Sequence, residues 1–236
     1  MCGLAAIFGQ DHLNPKEIKT MIASIAHRGP DHQGFFENDK VLMGSCRLSI
    51  FDFSNKGNMP MSDKTGRYLI IYNGEIYNFK ELKKKHDIIT KSETDTEVLI
   101  ELFAKLNVEC FKLLNGIFSL IIFDNLEKKI YSARDRLGVK PLYYFKKKNN
   151  FYFCSEIKGI LRVNKDIQIN SDIVKFYLNT SFYDSFEETF YKDILQVEQG
   201  TYIIFDLNKK NFNKKRYWDL NDDKNLNNSF DLFDQH

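Results

Sequence analysis

The chain has 236 residues, of which 43% are hydrophobic and 28% charged, and a formal net charge of +2. That much apolar sequence can close a sizeable core, which excludes a chain disordered throughout. The lysines are scattered, in runs such as 83–85 and 146–148, and form no basic stripe of the kind nucleic acid requires. The opening Met-Cys-Gly-Leu-Ala-Ala-Ile-Phe-Gly has no basic leader and is too short an apolar stretch for a signal peptide or membrane span, so a cytoplasmic protein is expected. Cys2, Cys46, Cys110 and Cys154 lie too far apart for the paired spacing of zinc sites and redox motifs. They read as free thiols in a reducing compartment, with Cys110 and Cys154 as small core residues.

In chain order, the apolar run 4–8, closed by Gly9, predicts a buried strand starting almost at the terminus. Pro15 opens a helix in which Ile18, Met21, Ile22 and Ile25 recur at helical spacing, and Arg28-Gly29-Pro30 ends it. The runs 41–43, 48–53 and 68–72 predict strands of an antiparallel sheet. After Thr94, the residues Val98, Leu99, Leu102, Phe103 and Leu106 fall on one helix face, with Glu97 and Glu101 suited to the N-terminal turn. Four strand-like runs at 117–123, 129–133, 142–145 and 151–154 imply a second sheet. Ser171-Asp172 caps a further helix through Leu178, and 201–207 gives a last strand. From Asn208 onward the Asn-, Asp- and Lys-rich tail reads as a linker or the start of another unit, placing one domain at 1–207 and the remainder at 208–236. Strands interrupted by a few helices, without regular alternation, argue for an α+β fold.

A cysteine at position two carries chemistry of its own. Removal of Met1 leaves its α-amine, with a pKa near ~8, beside a thiol of ~8.5, so the amine can take the thiol proton near neutral pH. Gly3 allows close backbone approach, and the strand behind it would hold the terminus inside the fold. The second signal is Tyr72-Asn73-Gly74-Glu75-Ile76-Tyr77-Asn78, read as a turn at a strand end. Asn-Gly is a common hairpin turn. It can also aim an amide side chain and a backbone N–H at one point, and such donors stabilise an oxyanion by about 3 to 4 kcal/mol each.

Met1-Cys2-Gly3, His27-Arg28-Gly29-Pro30-Asp31, Arg47-Leu48-Ser49-Ile50, Asn73-Gly74-Glu75-Ile76-Tyr77-Asn78, Ser92-Glu93-Thr94-Asp95-Thr96-Glu97 and the stretch from Arg134-Asp135 to Tyr143-Tyr144 follow one another in order. Together they resemble a class II glutamine amidotransferase domain. The last of these motifs, with Ser155-Glu156-Ile157-Lys158 and Arg216-Tyr217-Trp218, is most similar to the glutamine-hydrolysing asparagine synthetases. The resemblance implies an N-terminal nucleophile hydrolase, two stacked antiparallel sheets between helical layers. It also implies Cys2 as nucleophile, Asn73 and the Gly74 amide as oxyanion hole, and Arg47, with Leu48 and Ile50 beside it, binding the glutamine α-carboxylate. Glu75 and Asp95 would hold the α-ammonium.

Read singly, Arg47 is more readily a surface ion-pair partner and Asp95 a helix cap than functional residues; His27 to Asp31 is expected to be scaffold, and Arg134 to Tyr144 turn, packing and an interdomain face. Cys46 stands where the family commonly has an acidic residue and offers a second thiol near the pocket. Val197-Glu198-Gln199-Gly200 replaces a proline-rich turn. The resemblance further implies L-glutamine as substrate, no cofactor or metal for the glutaminase domain, and a C-terminal synthetase domain or acceptor subunit as partner. The Ser-Gly-Gly-x-Asp-Ser nucleotide loop of that synthetase domain is not in this sequence, so ATP and Mg are expected only in a domain beyond it. A homodimer is an assembly open to the chain. Two other readings remain: an amidotransferase module for a sugar or secondary-metabolite acceptor, and a non-catalytic interaction module of the same fold.

Overall fold

The structure, a computed structural model, describes residues 2–49, 54–182 and 186–220. Its helices are α1 (Pro15–Ser24), α2 (Phe79–Lys85), α3 (Asp95–Leu106), α4 (Ile157–Val163) and α5 (Ser171–Thr180). The strands are β1 (Gly3–Gly9), β2 (His32–Glu37), β3 (Val41–Arg47), β4 (Met61–Ser62), β5 (Tyr68–Ile76), β6 (Gly116–Asp124), β7 (Lys129–Arg134), β8 (Tyr143–Lys147), β9 (Asn150–Cys154), β10 (Ile194–Gln196), β11 (Thr201–Asp206) and β12 (Asn211–Arg216). They form two antiparallel sheets, ordered β10-β8-β9-β1-β3-β2 and β12-β11-β7-β6-β5-β4.

Strand alternation builds the layers. Leu4, Ala6 and Phe8 of β1 face the second sheet, where the Phe8 and Phe205 rings stand 5.4 Å apart. Ala5 and Ile7 point the other way, onto Ile18, Met21, Ile22 and Ile25 at α1. With apolar cover on both faces, β1 is apolar at every position, as a central strand must be. On the outer face of the second sheet, Phe103 of α3 meets Tyr68 edge-on at 5.2 Å. The order of layers is helix, sheet, sheet, helix, the αββα arrangement expected of an N-terminal nucleophile hydrolase.

Several local expectations change. Strands from the two halves interleave: β5 pairs with β6, whereas β8 and β9 join β1 and β3. Apolar runs mark strands but carry no record of partners. The strand expected at 48–53 ends at Arg47; Leu48 and Ser49 have left the sheet, and Ile50 to Phe53 lie outside the described residues. Asn73-Gly74 is no turn. It lies inside β5, opposite Ser119 and Phe118, and Gly74 is absent from the glycines with positive φ. A Cβ on Gly74 would collide with the Ile117 carbonyl, so glycine serves close strand approach there instead of a left-handed bend. Asn170, not Ser171, caps α5. Beyond residue 207 the sheet continues: β12 pairs with β11 from Asn211 to Arg216, and Tyr217 is buried with its hydroxyl on the Arg134 carbonyl at 2.8 Å.

Candidate active site

Cys2 is fixed from its carbonyl side. Arg28 Nε donates to Cys2 O at 3.0 Å, and the next residue but one is clamped twice, Leu4 N–H donating to Ser155 Oγ at 3.0 Å and Ser155 N–H to Leu4 O at 2.9 Å. Gly3 has no room for a side chain, since a Cβ would stand 2.7 Å from Cys46 Sγ and 2.9 Å from Ile25 Cδ1. Arg28 is held in turn by Glu156, Nη1 to Oε1 at 2.9 Å, which also takes His27 Nε2 at 2.9 Å and Lys158 Nζ at 2.9 Å. Burial opposes ionisation of Glu156, but the hydrogen bonds from Lys158 and Arg28 outweigh it and keep the carboxyl below the usual range. His27 therefore belongs to the brace behind Cys2. Pairing it with the thiol finds no support in this geometry.

The Cys2 sulfur faces Leu48, whose N–H points at Sγ from 3.4 Å and whose carbonyl lies 3.7 Å away. Both open a small pocket, about 100 Å³, into which Arg47, Asn73, Gly74, Glu75 and Asp95 also face. Of the residues the sequence pointed to, only Ile50 is outside the described part of the chain. Asn73 is 1% exposed, and its Nδ2 is buried without a hydrogen-bond partner. A buried amide donor with nothing to donate to costs roughly 1–3 kcal/mol, and a group arriving in the pocket could supply the acceptor.

The Gly74 residue also lines the pocket. Phe118, opposite Gly74, uses both backbone groups on Asp135, donating to Oδ2 at 3.1 Å and accepting from the Asp135 amide at 2.8 Å. Gly74 thus sits in a non-hydrogen-bonded pair of the ladder, and its N–H is directed away from β6. Tyr72 and Ile76, two residues to either side, do likewise, donating to Met59 Sδ at 3.2 Å and to Asp95 Oδ2 at 2.9 Å.

Arg47 ends β3, and its Nη1 donates to Ser54 O and Asn58 Oδ1, both at 2.9 Å. Gly57 lies against the guanidinium so closely that any Cβ there would strike it. The His27 to Asp31 segment supports this wall, with Asp31 N–H on Arg47 O at 3.1 Å and Ser49 N–H on Asp31 Oδ2 at 2.7 Å.

Asp95 is in the first turn of α3 but is not its cap. Thr94 is, accepting from Glu97 N–H at 3.3 Å, while Glu97 reaches back to the amides of Lys91 and Ser92 at 2.8 and 2.6 Å. Freed from capping, Asp95 accepts from Tyr72 Oη at 2.7 Å. Burial pushes its carboxyl pKa up, against the lowering effect of the Ile76 and Tyr72 hydrogen bonds, so an incoming cation would relieve it.

Cys46 does not present a second thiol to the pocket. Alternation along β3 turns it opposite to Arg47, fully buried among the residues under α1, donating to Ile25 O at 3.3 Å, and burial raises its pKa. Three pocket residues were given no role by the sequence: Gly57, Met59 and Lys140, the last 9% exposed and lining the site from the Arg134 to Tyr144 segment, which the sequence presented as turn, packing and an interdomain face. The turn reading itself holds, with Gly138 at φ +69°.

A cysteine heading the central strand of an αββα sandwich, with its sulfur in a pocket at the sheet ends, defines an N-terminal nucleophile hydrolase fold. Solved structures agree: the chain superposes over 92% of its length on the Bacillus subtilis glutamine phosphoribosylpyrophosphate amidotransferase, with a TM-score of 0.70 at 18% identity, covering 49% of that chain. Likeness at that identity establishes the fold. Residues 1–218 match the family described as a glutamine amidotransferase domain. A Methanocaldococcus jannaschii protein named "putative asparagine synthetase (glutamine-hydrolyzing) 2" is 41% identical over 95% of this chain and 48% of its own length. The glutamine-hydrolyzing asparagine synthetase 1 of Bacillus subtilis is 36% identical over 77% of this chain and 30% of its own. The chain belongs to the class II glutamine amidotransferase family and spans about half or less of the length of these relatives.

Proposed function

We propose that the domain hydrolyses L-glutamine to glutamate and ammonia through a thioester on Cys2, and that the ammonia serves ATP-dependent asparagine synthesis in an acceptor domain. The observation that carries this reading is the juxtaposition in one pocket of the Cys2 sulfur with the buried, unpartnered Asn73 Nδ2. The α-amine of Cys2 takes the thiol proton, and the sulfur adds to the amide carbon of glutamine. The resulting oxyanion meets the donors of Asn73 and Gly74. Collapse expels ammonia, which takes its proton from the α-ammonium and leaves the thioester; a water, deprotonated by the same amine, then adds through a second oxyanion and releases glutamate with the thiol restored. Arg47 suits the α-carboxylate, and Glu75 with Asp95 the α-ammonium. The acceptor assignment draws on the names of the relatives. ATP and Mg belong to that acceptor chemistry. A cytoplasmic setting accords with four cysteines that are free in the structure, and among the described residues no helix is long and apolar enough to cross a membrane.

The test is to treat protein with a free Cys2 terminus with a chloroketone analogue of glutamine and locate the adduct by mass spectrometry. Labelling of Cys2, slowed by added L-glutamine, is expected. An adduct found only on Cys46 would refute the assignment.

Arg47→Ala should raise KM for glutamine about 10–100-fold, the loss expected for charge-assisted hydrogen bonds to a carboxylate. A smaller fall in kcat is expected from poorer alignment of the amide. Because Arg47 also holds Ser54 and Asn58, Arg47→Lys is the companion variant. Unchanged KM in both would show that the carboxylate lies elsewhere.

A further inference from the structure

Asp95 is placed where a carboxyl is pressed to give up its charge. It is buried, and Glu75 brings a second carboxyl to the same pocket. Burial first, and then Glu75, raise its pKa. Of the hydrogen bonds that oppose this rise, two end on Oδ2, from the Ile76 N–H at 2.9 Å and the Tyr72 hydroxyl at 2.7 Å. The Ile76 bond ties α3 to β5 through backbone that any side chain would supply. The Tyr72 bond depends on one phenol.

That phenol is set by the strand. Tyr72 lies inside β5 opposite Leu120, its N–H is directed to Met59 Sδ at 3.2 Å, and its side chain is buried at the pocket wall. Burial, with Asp95 beside it, holds the hydroxyl well above the usual tyrosine pKa, so it remains a proton donor across the working range of pH. A hydroxyl that donates and does not ionise favours the charged form of Asp95 and fixes the orientation of its carboxylate. Among the described residues, the charged and titratable groups that line the pocket with Asp95 are Cys2, Arg47, Tyr72, Glu75 and Lys140. On α3 itself Glu97 is engaged with the amides of Lys91 and Ser92.

We propose that Tyr72 is a positioning residue for substrate selection: its hydroxyl holds Asp95 oriented for an α-ammonium, so that the site prefers an amino-acid amide to the same amide without an α-amine. This rests on the reading of the pocket as a glutamine site. Only ionised Asp95 attracts the ammonium, so this part of the binding is lost as pH falls through the Asp95 pKa. Removing the Tyr72 hydroxyl takes away a bond to the charged form and raises that pKa further, so the loss begins at higher pH. A substrate with no α-amine is indifferent to both changes.

The experiment compares the full chain with Tyr72→Phe on two substrates, L-glutamine and glutaramate, its analogue lacking the α-amine, across pH, and follows the Asp95 carboxyl by carbon-13 NMR titration. Expected for Tyr72→Phe is a rise of about tenfold in KM for glutamine with kcat changed no more than about threefold, while KM for glutaramate moves less than about twofold. The acid limb of kcat/KM for glutamine and the Asp95 titration should both move to higher pH. If the phenylalanine variant fails to fold, 3-fluorotyrosine at position 72, a stronger donor of the same shape, should move both to lower pH. Equal weakening of the two substrates, or an Asp95 titration that stays in place, would overturn the proposal and leave Tyr72 as packing. If the parent hydrolyses neither amide, the glutaminase reading falls, and the Asp95 titration still decides whether Tyr72 governs that carboxylate.

Discussion

Replacing Cys2 by alanine is expected to lower glutamine hydrolysis by roughly 10⁵–10⁶-fold, the loss found when a hydrolase is deprived of its nucleophile. The fold should survive. Cys2 is only partly buried, and the contacts of its sulfur are with the Leu48 backbone. The informative control is Cys46→Ala. That sulfur is fully buried under α1 and hydrogen-bonded to Ile25 O, so its removal should cost about 1 kcal/mol of stability through the cavity left behind while turnover stays close to normal. The two thiols are thus expected to separate completely, one governing rate and the other melting temperature. Steady-state ammonia release and thermal unfolding on the same preparations decide it, and residual turnover in Cys2→Ala above a few per cent would remove Cys2 from the chemistry.

Much of this site was legible in the sequence because its residues sit in short motifs that double as structural devices. Thr94 and Glu97 announce a helix start, and that start places Asp95. Gly3 is small where Cys46 needs the space. Other features resisted reading for equally physical reasons. Asn-Gly carries a strong local preference for a hairpin turn, yet nine residues of β5 paired with β6 override it and leave the Gly74 N–H directed away from β6. The segment Asn211–Arg216 is mostly polar because β12 is an edge strand with exposed side chains, and a half-solvated edge looks like a linker in composition. Lys140 escaped notice because a lysine in a turn is ordinarily solvated; here Arg134 and Asp135 bond its backbone carbonyl and amide, and the residue is buried. Pairing of strands across the two halves was likewise written in contacts between distant residues, which no local period records.

The largest chemical effect outside the thiol should come from the residue before it. With Met1 in place the Cys2 nitrogen belongs to a peptide bond, has no accessible lone pair and cannot take the thiol proton. The rest of the apparatus would be untouched, because Arg28, Leu4 and Ser155 grip Cys2 and its neighbours from the carbonyl side. A variant carrying a bulky residue inserted between Met1 and Cys2, which blocks methionine removal, is therefore expected to keep its melting temperature and lose about 10²–10⁴-fold in kcat, the range ordinary for loss of a positioned base. No substitute stands ready among the described neighbours of the sulfur. Leu48 offers Sγ an amide and a carbonyl, neither of which is a base, and the His27 ring is engaged with Glu156 at 2.9 Å in the brace behind the strand. N-terminal sequencing must confirm the blocked terminus, and the comparison is with fully processed protein at equal concentration. Equal rates would exclude the α-amine as the base, and the steep dependence of turnover on a single terminal peptide bond is the behaviour that separates an N-terminal nucleophile from a cysteine activated by a neighbouring side chain.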